Sequence, residues 1–144
     1  GTELKVIHDY FEASAQDAGI ALTVQCPSDP TLRADRTLFQ RAVSNLVSNA
    51  LSHTRRGGAV EILVTALDEQ ITVEVRDNGE GMSVASQGRV FDRFYRVNAA
   101  RTASSGRIGL GLSITKSIVE LHGGSIFLRS AEGEGASVTL VFPR

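Results

Sequence analysis

Cysteine is almost absent from this sequence, and neither sign of charge dominates it. Cys26 is the single cysteine. The chain therefore cannot form an internal disulfide or a metal site of several cysteines, and an inert thiol in a reducing, cytoplasmic compartment is expected. Fifteen basic residues stand against sixteen acidic ones, which leaves a net charge of -1. Because no overall positive field results, binding to nucleic acid or to an anionic membrane is not expected.

Long apolar runs are missing as well. No segment approaches the roughly 20 consecutive apolar residues that span a bilayer, and the first residues lack the pattern of a signal peptide. If the parent protein is a membrane receptor, this chain is expected to be only its cytosolic part. Its 144 residues, 42% of them hydrophobic, suffice for one core and hardly for two, so we predict a single domain over residues 1–144.

The first third of the chain predicts a helix, a strand and a longer helix. Apolar residues recur at helical spacing up to Gly19, where the first helix is expected to end. They are Leu4, Ile7, Phe11, Ala15 and Ala18. The alternating segment Ile20–Gln25 predicts a strand. Asp35 is placed to cap the long helix that follows, and residues 54–58 end that helix.

The remaining residues predict two strand pairs with a helix between them. Segments 59–67 and 71–77 are rich in β-branched residues and predict a hairpin around a short polar turn. A helix is expected over about 110–122, and a second strand pair over 125–142. Helices that flank hairpins, without strict βαβ alternation, predict an α/β fold of the two-layer sandwich type. Residues 82–108 show weaker patterns and are interpreted as a lid.

The long helix carries a polar stripe. In RAVSNLVSNALSHT (Arg41–Thr54), the residues Asn45, Asn49 and His53 recur at four-residue spacing, so they share one helical face. Carboxamides beside a core-facing surface are costly unless something satisfies them, and a phosphate-bound metal ion with its water shell would do so. A solvated helix face is the plainer alternative.

DNGEGM, residues 77–82, lies where a predicted strand ends. Gly79 and Gly81 let the backbone bend and let a planar base approach the main chain. The Asp77 carboxylate is only an acceptor, so it suits the exocyclic amino group of adenine and disfavours guanine. An ordinary turn would use the same residue types.

GRIGLGL, residues 106–112, lies where the last predicted helix begins. Gly109 and Gly111 flank Leu110 there, so backbone N–H groups and the helix dipole can meet a phosphate. Glycines that serve helix packing are the alternative. No Walker A pattern is present, so phosphates cannot be held in a P-loop.

In chain order, the polar stripe, DNGEGM, FDRFYR (Phe91–Arg96) and GRIGLGL resemble the N box, first glycine box, F box and second glycine box of the ATP-binding domain of sensor histidine kinases. The resemblance covers nearly the whole chain. RADRTLFQRAVSNLVSNALSHT and VFDRFYRVNAAR are also similar to the heavy-metal (copper-type) sensor subgroup. The resemblance implies the Bergerat ATP-binding fold, in which about three helices cover one face of a mixed sheet and a flexible lid lies beside ATP.

The same resemblance implies a protein-histidine kinase that uses ATP and Mg²⁺. The γ-phosphate is expected to pass to a histidine on the parent's own dimerisation domain and then to a response regulator. The parent is expected to be a homodimer in the bacterial inner membrane. The neighbours of His8 lack the family's phosphoacceptor pattern, so the acceptor is expected outside this chain. Hydrolytic relatives have a glutamate at the place of Asn45, and because an amide cannot take a proton from water, slow hydrolysis is expected.

Site residues are implied by the matching boxes. Asn45, Asn49 and Arg96 are the expected catalytic residues, with Asn49 as the Mg²⁺ ligand and Arg96 as a cation near the transferred phosphate. The residues implied to contact the nucleotide are Asn45, Asn49, His53, Asp77, Gly79, Gly81, Met82, Arg96, Gly106, Arg107, Gly109, Leu110, Gly111 and Leu112.

Four residues depart from the family's pattern. Arg107 and Ile108 stand where relatives usually have small or hydroxylated residues. Ala136 replaces a threonine that commonly supports the base-binding aspartate, and Ser52 replaces a lysine near the phosphates. Arg107 is the residue that can compensate by reaching the phosphates. Two alternatives stay open, a protein serine kinase of the anti-sigma type and a nucleotide-binding regulatory module with little catalysis.

Overall fold

Three helices and five strands are found in the residues that the computed structural model describes, which are 2–26, 30–79, 108–131 and 133–144. In chain order they are α1 (Thr2–Ala18), β1 (Ala21–Gln25), α2 (Arg36–His53), β2 (Ala59–Ala66), β3 (Gln70–Asp77), α3 (Ile108–Leu121), β4 (Ser125–Ala131) and β5 (Gly135–Pro143). None of these helices is both long and apolar enough to cross a membrane. The predicted lid over 82–108 lies outside the described residues, apart from Ile108 at the start of α3.

The five strands form one mixed sheet in the order β1-β2-β3-β5-β4. β1 runs parallel to β2, whereas the pairs β2–β3, β3–β5 and β4–β5 are antiparallel. The predicted hairpin closes where Leu67 N–H donates to Gln70 O at 2.8 Å. This topology places the end of β3 between the start of β2 and the start of β5.

The helices cover one face of the sheet. Strand residues alternate between that face and the other, as in β2, where Val60, Ile62 and Val64 are buried and Glu61 is not. The helical residues buried against them are Leu4, Ile7, Phe11, Ala15, Ala42, Val43, Leu46, Val47, Ala50, Leu112, Ile118 and Val119. Each large apolar side chain in this core stabilises the fold by roughly 1.5–3 kcal/mol. The predicted α/β two-layer sandwich is confirmed.

The ends of α1 and α2 follow from local chemistry. Asp35 caps α2 as predicted, because Leu38 N–H donates to its Oδ1 at 2.9 Å. At the end of α1, Gly19 takes the positive φ of 70° that glycine tolerates best. Ile20 N–H then donates to Ala15 O at 2.8 Å. That bond keeps Ile20 with the helix end, so β1 begins one residue later than predicted.

The start of α3 differs from the prediction by one half-turn. The helix begins at Ile108 and not at Leu110. Two glycines in this first turn lower its helix propensity. The burial of Leu112, which is only 6% exposed, favours the helical conformation because it packs the turn against the core. Tertiary packing therefore overrides local propensity here.

Candidate functional site

The polar stripe of α2 lies at the edge of the helical layer. Asn45 and Asn49 are half-buried, and His53 in the last turn is 7% exposed. Asn45 also lines a cleft of about 260 Å³ between α1 and α2. A fully solvated face would leave all three side chains exposed, so the plainer alternative for this stripe does not describe the structure.

Asp77 occupies the last position of β3 and is 9% exposed. Its Oδ1 accepts a hydrogen bond from Gly79 N–H at 2.9 Å, which turns the chain sharply after the strand. A carboxylate can accept several hydrogen bonds, so this bond leaves the group able to serve a further donor. The backbone of this turn is thus ordered around Asp77, the carboxylate predicted from the sequence to bind adenine.

Two glycines, Gly79 after Asp77 and Gly135 at the start of β5, let the end of β3 pack closely against α2 and β5. A Cβ at Gly79 would lie 2.1 Å from His53 O, and a Cβ at Gly135 would lie 2.1 Å from Asp77 O. Such distances exclude any side chain at either position. The sequence interpretation assigned Gly79 to the approach of a base, whereas the observed neighbour is the last turn of α2. The end of β3 is consequently fixed next to His53.

Two polar residues that the sequence reasoning did not assign fix the chain around this turn. Asn78 Oδ1 accepts from Ala59 N–H at 2.8 Å and so holds the start of β2. Thr54, which follows α2, donates from Oγ1 to Ala50 O at 2.8 Å. Both residues are small and polar and directly follow an element, which is the sequence signal that could have identified them.

Ala136 is located directly beside Asp77, since the two residues are paired across β3 and β5. Residues opposite each other in an antiparallel pair share a face of the sheet. A hydroxyl group at this position would therefore lie close to the carboxylate, whereas the methyl group of Ala136 offers it no hydrogen bond. This departure from the family's pattern is thus adjacent to the predicted base-binding residue.

α2 and α3 run antiparallel, and two polar contacts define their alignment. Thr115 Oγ1 donates to Ala42 O at 3.2 Å. His122, directly after α3, accepts through Nε2 from Asp35 N–H at 3.1 Å, before the start of α2. Thr115 and His122 are seven positions apart in the chain, and so are Ala42 and Asp35, which corresponds to about 10 Å along each helix.

The alignment has a direct consequence for the predicted phosphate site. Ile108 lies seven residues before Thr115, and Asn49 lies seven residues after Ala42. Continuing the antiparallel pairing brings the backbone of the first turn of α3 level with Asn49. Backbone N–H groups of a first helical turn are not used within the helix and favour anions. This extrapolation places the described part of the second glycine box, from Ile108 onward, at the level of Asn49 in the N box.

Several predicted contact residues lie outside the described part of the chain. They are Gly81, Met82, Arg96, Gly106 and Arg107. The structure describes Gly109, Leu110 and Gly111 only as backbone in the first turn of α3. The side chain of Leu112 is in the hydrophobic core.

Residues 34–144 match the family described as "Histidine kinase-, DNA gyrase B-, and HSP90-like ATPase". The chain belongs to this family. The sensor protein IrlS of Burkholderia pseudomallei is 40% identical over 134 residues, which are 93% of this chain and 28% of IrlS. This chain therefore spans less than a third of the length of that relative.

Solved histidine kinases share the whole fold. A mycobacterial sensor histidine kinase, MprB, superposes with a TM-score of 0.81 at 28% identity, covering 97% of this chain and 94% of the MprB chain. Full-length ShkA in complex with AMPPNP gives a TM-score of 0.84 at 25% identity, over 99% of this chain and 29% of ShkA. The names of these proteins do not support the heavy-metal subgroup predicted from the sequence.

Proposed function

We propose that this chain is the catalytic and ATP-binding domain of a two-component sensor histidine kinase. The observation that carries the proposal is the alignment of α2 with α3, which brings the first turn of α3 level with Asn49. The last turn of α2 also lies against the chain that follows Asp77. α2 thus lies between the Asp77 carboxylate, which suits adenine, and the first turn of α3, which suits an anion.

Asp77 is proposed to select the base. Its carboxylate is largely buried and already oriented by Gly79 N–H, so little ordering is needed when a further donor arrives. The exocyclic amino group of adenine is such a donor, whereas guanine would present a carbonyl oxygen to a like acceptor. ATP is therefore preferred over GTP.

Asn49 and Asn45 are proposed to serve the phosphate side. Half-buried carboxamide oxygens suit Mg²⁺, which prefers oxygen ligands and keeps several of its waters. The chemistry that bound Mg²⁺ supplies is neutralisation of charge on the phosphates. Asn49 is the proposed ligand, Asn45 lies one helical turn away, and Arg96 is proposed to neutralise further charge during transfer. His53, buried at the end of α2, stays a predicted neighbour of the phosphates.

The γ-phosphate is proposed to leave for a histidine outside this chain. Asn45 has no carboxylate that could activate water, so hydrolysis does not compete strongly. His8 is unsuited as the acceptor, since its Nε2 is within 3.0 Å of Leu22 O and that carbonyl can only accept a hydrogen bond from it. The acceptor is placed on the parent's dimerisation domain, with a response regulator as the next recipient and a homodimeric parent in the inner membrane. The heavy-metal subgroup rests on two similar segments alone, so the proposal names no signal.

The acceptor domain is proposed to approach across α1. Val6 and Tyr10 are 52% and 75% exposed there, and both line the cleft that leads to Asn45. Tyr10→Ala is expected to slow transfer to a supplied dimerisation domain without changing ATP affinity. Phe127→Ala is the matched control, because Phe127 is 59% exposed on β4, away from this cleft. Equal transfer rates for the two variants would exclude α1 as the docking surface.

The proposal is tested by calorimetric titration with ATP and Mg²⁺, with GTP as the control nucleotide, followed by transfer to a dimerisation domain. Binding of ATP with a clear preference over GTP is expected, and the transferred phosphate is expected to be lost in acid, as phosphohistidine is. An acid-stable product would instead indicate the serine kinase. Tight ATP binding without any transfer would favour the regulatory module, and no binding to the folded chain would refute the proposal.

A further inference from the structure

His122 connects two helices whose relative position matters for the proposed site. It directly follows α3, and its Nδ1 lies 2.8 Å from Ile118 O in the last turn of that helix. Its Nε2 lies 3.1 Å from the backbone nitrogen of Asp35, the residue that caps α2. One ring thus contacts the end of one helix and the start of the other.

The two partners assign the proton on the ring. A carbonyl oxygen can only accept, so Nδ1 carries the hydrogen that is donated to Ile118 O. A backbone amide can only donate, so Nε2 is the acceptor for Asp35 N–H. The two nitrogens therefore have different roles, Nδ1 as the donor and Nε2 as the acceptor.

Aromatic packing holds the ring in place. The edge of His122 meets Phe142 of β5 with ring centroids 6.2 Å apart and planes at 75°. Phe142 in turn packs against Phe39 in the first turns of α2, at 5.7 Å, and is itself only 1% exposed. Because the sheet and both helices meet around these rings, His122 cannot move without disturbing the contact with Asp35.

The contact acts on the site through helix alignment. The His122–Asp35 contact and the bond from Thr115 to Ala42 O hold α2 and α3 together at two places. Seven residues further along the pair lie Asn49 and the first turn of α3. Groups that position phosphates must be held closely, since displacements of about 1 Å can cost large factors in rate. A change at the His122 end of the pair would thus be felt at the phosphate end.

We propose that His122 is a positioning residue for the phosphate and metal site. Through Asp35 it fixes the start of α2 against the end of α3, and thereby the level at which Asn49 meets the first turn of α3. This inference rests on the proposed function. The competing explanation is that His122 serves only the end of its own helix through Ile118 O.

Two substitutions separate these explanations because each keeps one half of the ring's chemistry. His122→Gln keeps an acceptor near the place of Nε2 and loses the donor to Ile118 O. His122→Asn keeps a donor near the place of Nδ1 and loses the acceptor for Asp35 N–H. If the contact between helices is what matters, the glutamine variant retains function and the asparagine variant does not. If only the helix end matters, the order is reversed.

The first measurement is hydrogen exchange at the Asp35 amide in the chain without nucleotide. Exchange is expected to speed up by about 3- to 10-fold in His122→Asn, the factor that a net hydrogen bond of ordinary strength gives. It is expected to stay near the wild-type rate in His122→Gln. This readout does not need ATP, so it remains informative about the contact even if the proposed function fails.

The second measurement is the Mg²⁺ concentration that gives half-maximal ATP affinity. His122→Asn is expected to raise it by about 3- to 10-fold, while His122→Gln leaves it within about 2-fold and the melting temperatures of both variants agree. Thr115→Val, which removes the other contact with little change in shape, is expected to act in the same direction and serves if His122→Asn does not fold. The proposal would be overturned if His122→Asn needed no more Mg²⁺ than the wild type. It would also be overturned if only His122→Gln needed more Mg²⁺, or if both variants needed more to the same extent.

Discussion

The substitution Asp77→Asn tests the base site with the smallest change of shape. The side chain is 9% exposed, and its Oδ1 accepts from Gly79 N–H. Asparagine has one oxygen with which it can keep that bond, so the turn after β3 is expected to persist. Its other arm becomes an NH₂ group, which would face the amino group of adenine as donor against donor. The expected cost is about 1–3 kcal/mol, the penalty for a buried polar group without a partner.

This cost corresponds to a loss in ATP affinity of about 5- to 150-fold. The same change gives guanine a donor for its carbonyl oxygen, so the ratio of ATP to GTP affinity is expected to fall further than the ATP affinity alone suggests. Calorimetry with both nucleotides measures both effects, and thermal unfolding monitors the fold. Asp68→Asn is the control. It removes a carboxylate at the exposed turn before β3, at the opposite end of a strand that is itself about 23 Å long.

An unchanged ATP affinity in a folded Asp77→Asn variant would refute the assignment of the base. An equal loss for ATP and GTP would also refute it, because adenine and guanine present different groups to the residue at position 77. A loss of affinity together with a large drop in melting temperature would show that Asp77 supports the turn at Gly79 and not the base.

Three further substitutions test the remaining site. Asn49→Ala is expected to remove most Mg²⁺-dependent phosphate transfer and to leave the melting temperature near the wild type, while Asn49→Asp, which keeps an oxygen ligand, retains transfer; an active alanine variant would exclude the ligand role. Asn45→Glu is expected to increase phosphate release without an acceptor, because a carboxylate can take a proton from water and the cleft of about 260 Å³ beside α1 has room for the longer side chain; unchanged release would contradict this. Ala136→Thr is expected to tighten ATP binding by about 2- to 10-fold through a hydrogen bond to the paired Asp77, and Ala136→Val, which lacks the hydroxyl, should show no gain in the same titration.

Local features of the fold were predictable because their causes are local in the chain. Gly19 ends α1, Asp35 caps α2, and the alternation in β2 and β3 marks a hairpin with one covered face. Each depends on residues within a few positions of one another. The start of α3 was missed by two residues, because the burial of Leu112 is decided by elements far away in the sequence.

The residues of the site could be predicted from the sequence, but the packing contacts that hold them in place could not. The boxes named Asn49 and Asp77, but nothing in the local sequence shows that a Cβ at Gly79 would lie only 2.1 Å from His53 O. Thr115 is a polar residue at a core position of an apolar helix, fully buried in the structure, and this mismatch is a sequence signal for a polar contact with a neighbour. Its partner, the carbonyl of Ala42, could be found only from the packing of two helices.

α2 is the element to which both halves of the proposed site refer. Its last turn lies against Gly79 and thereby locates Asp77 at the base end. Its middle is bonded to Thr115, and its cap is bonded to His122, which together locate the first turn of α3 at the phosphate end. A change in Asp77 alters one end alone, whereas a shift of α2 alters the distance between base and phosphate sites. Affinity for a nucleotide that must reach both ends therefore also depends on contacts between α2 and its neighbours that do not touch the nucleotide.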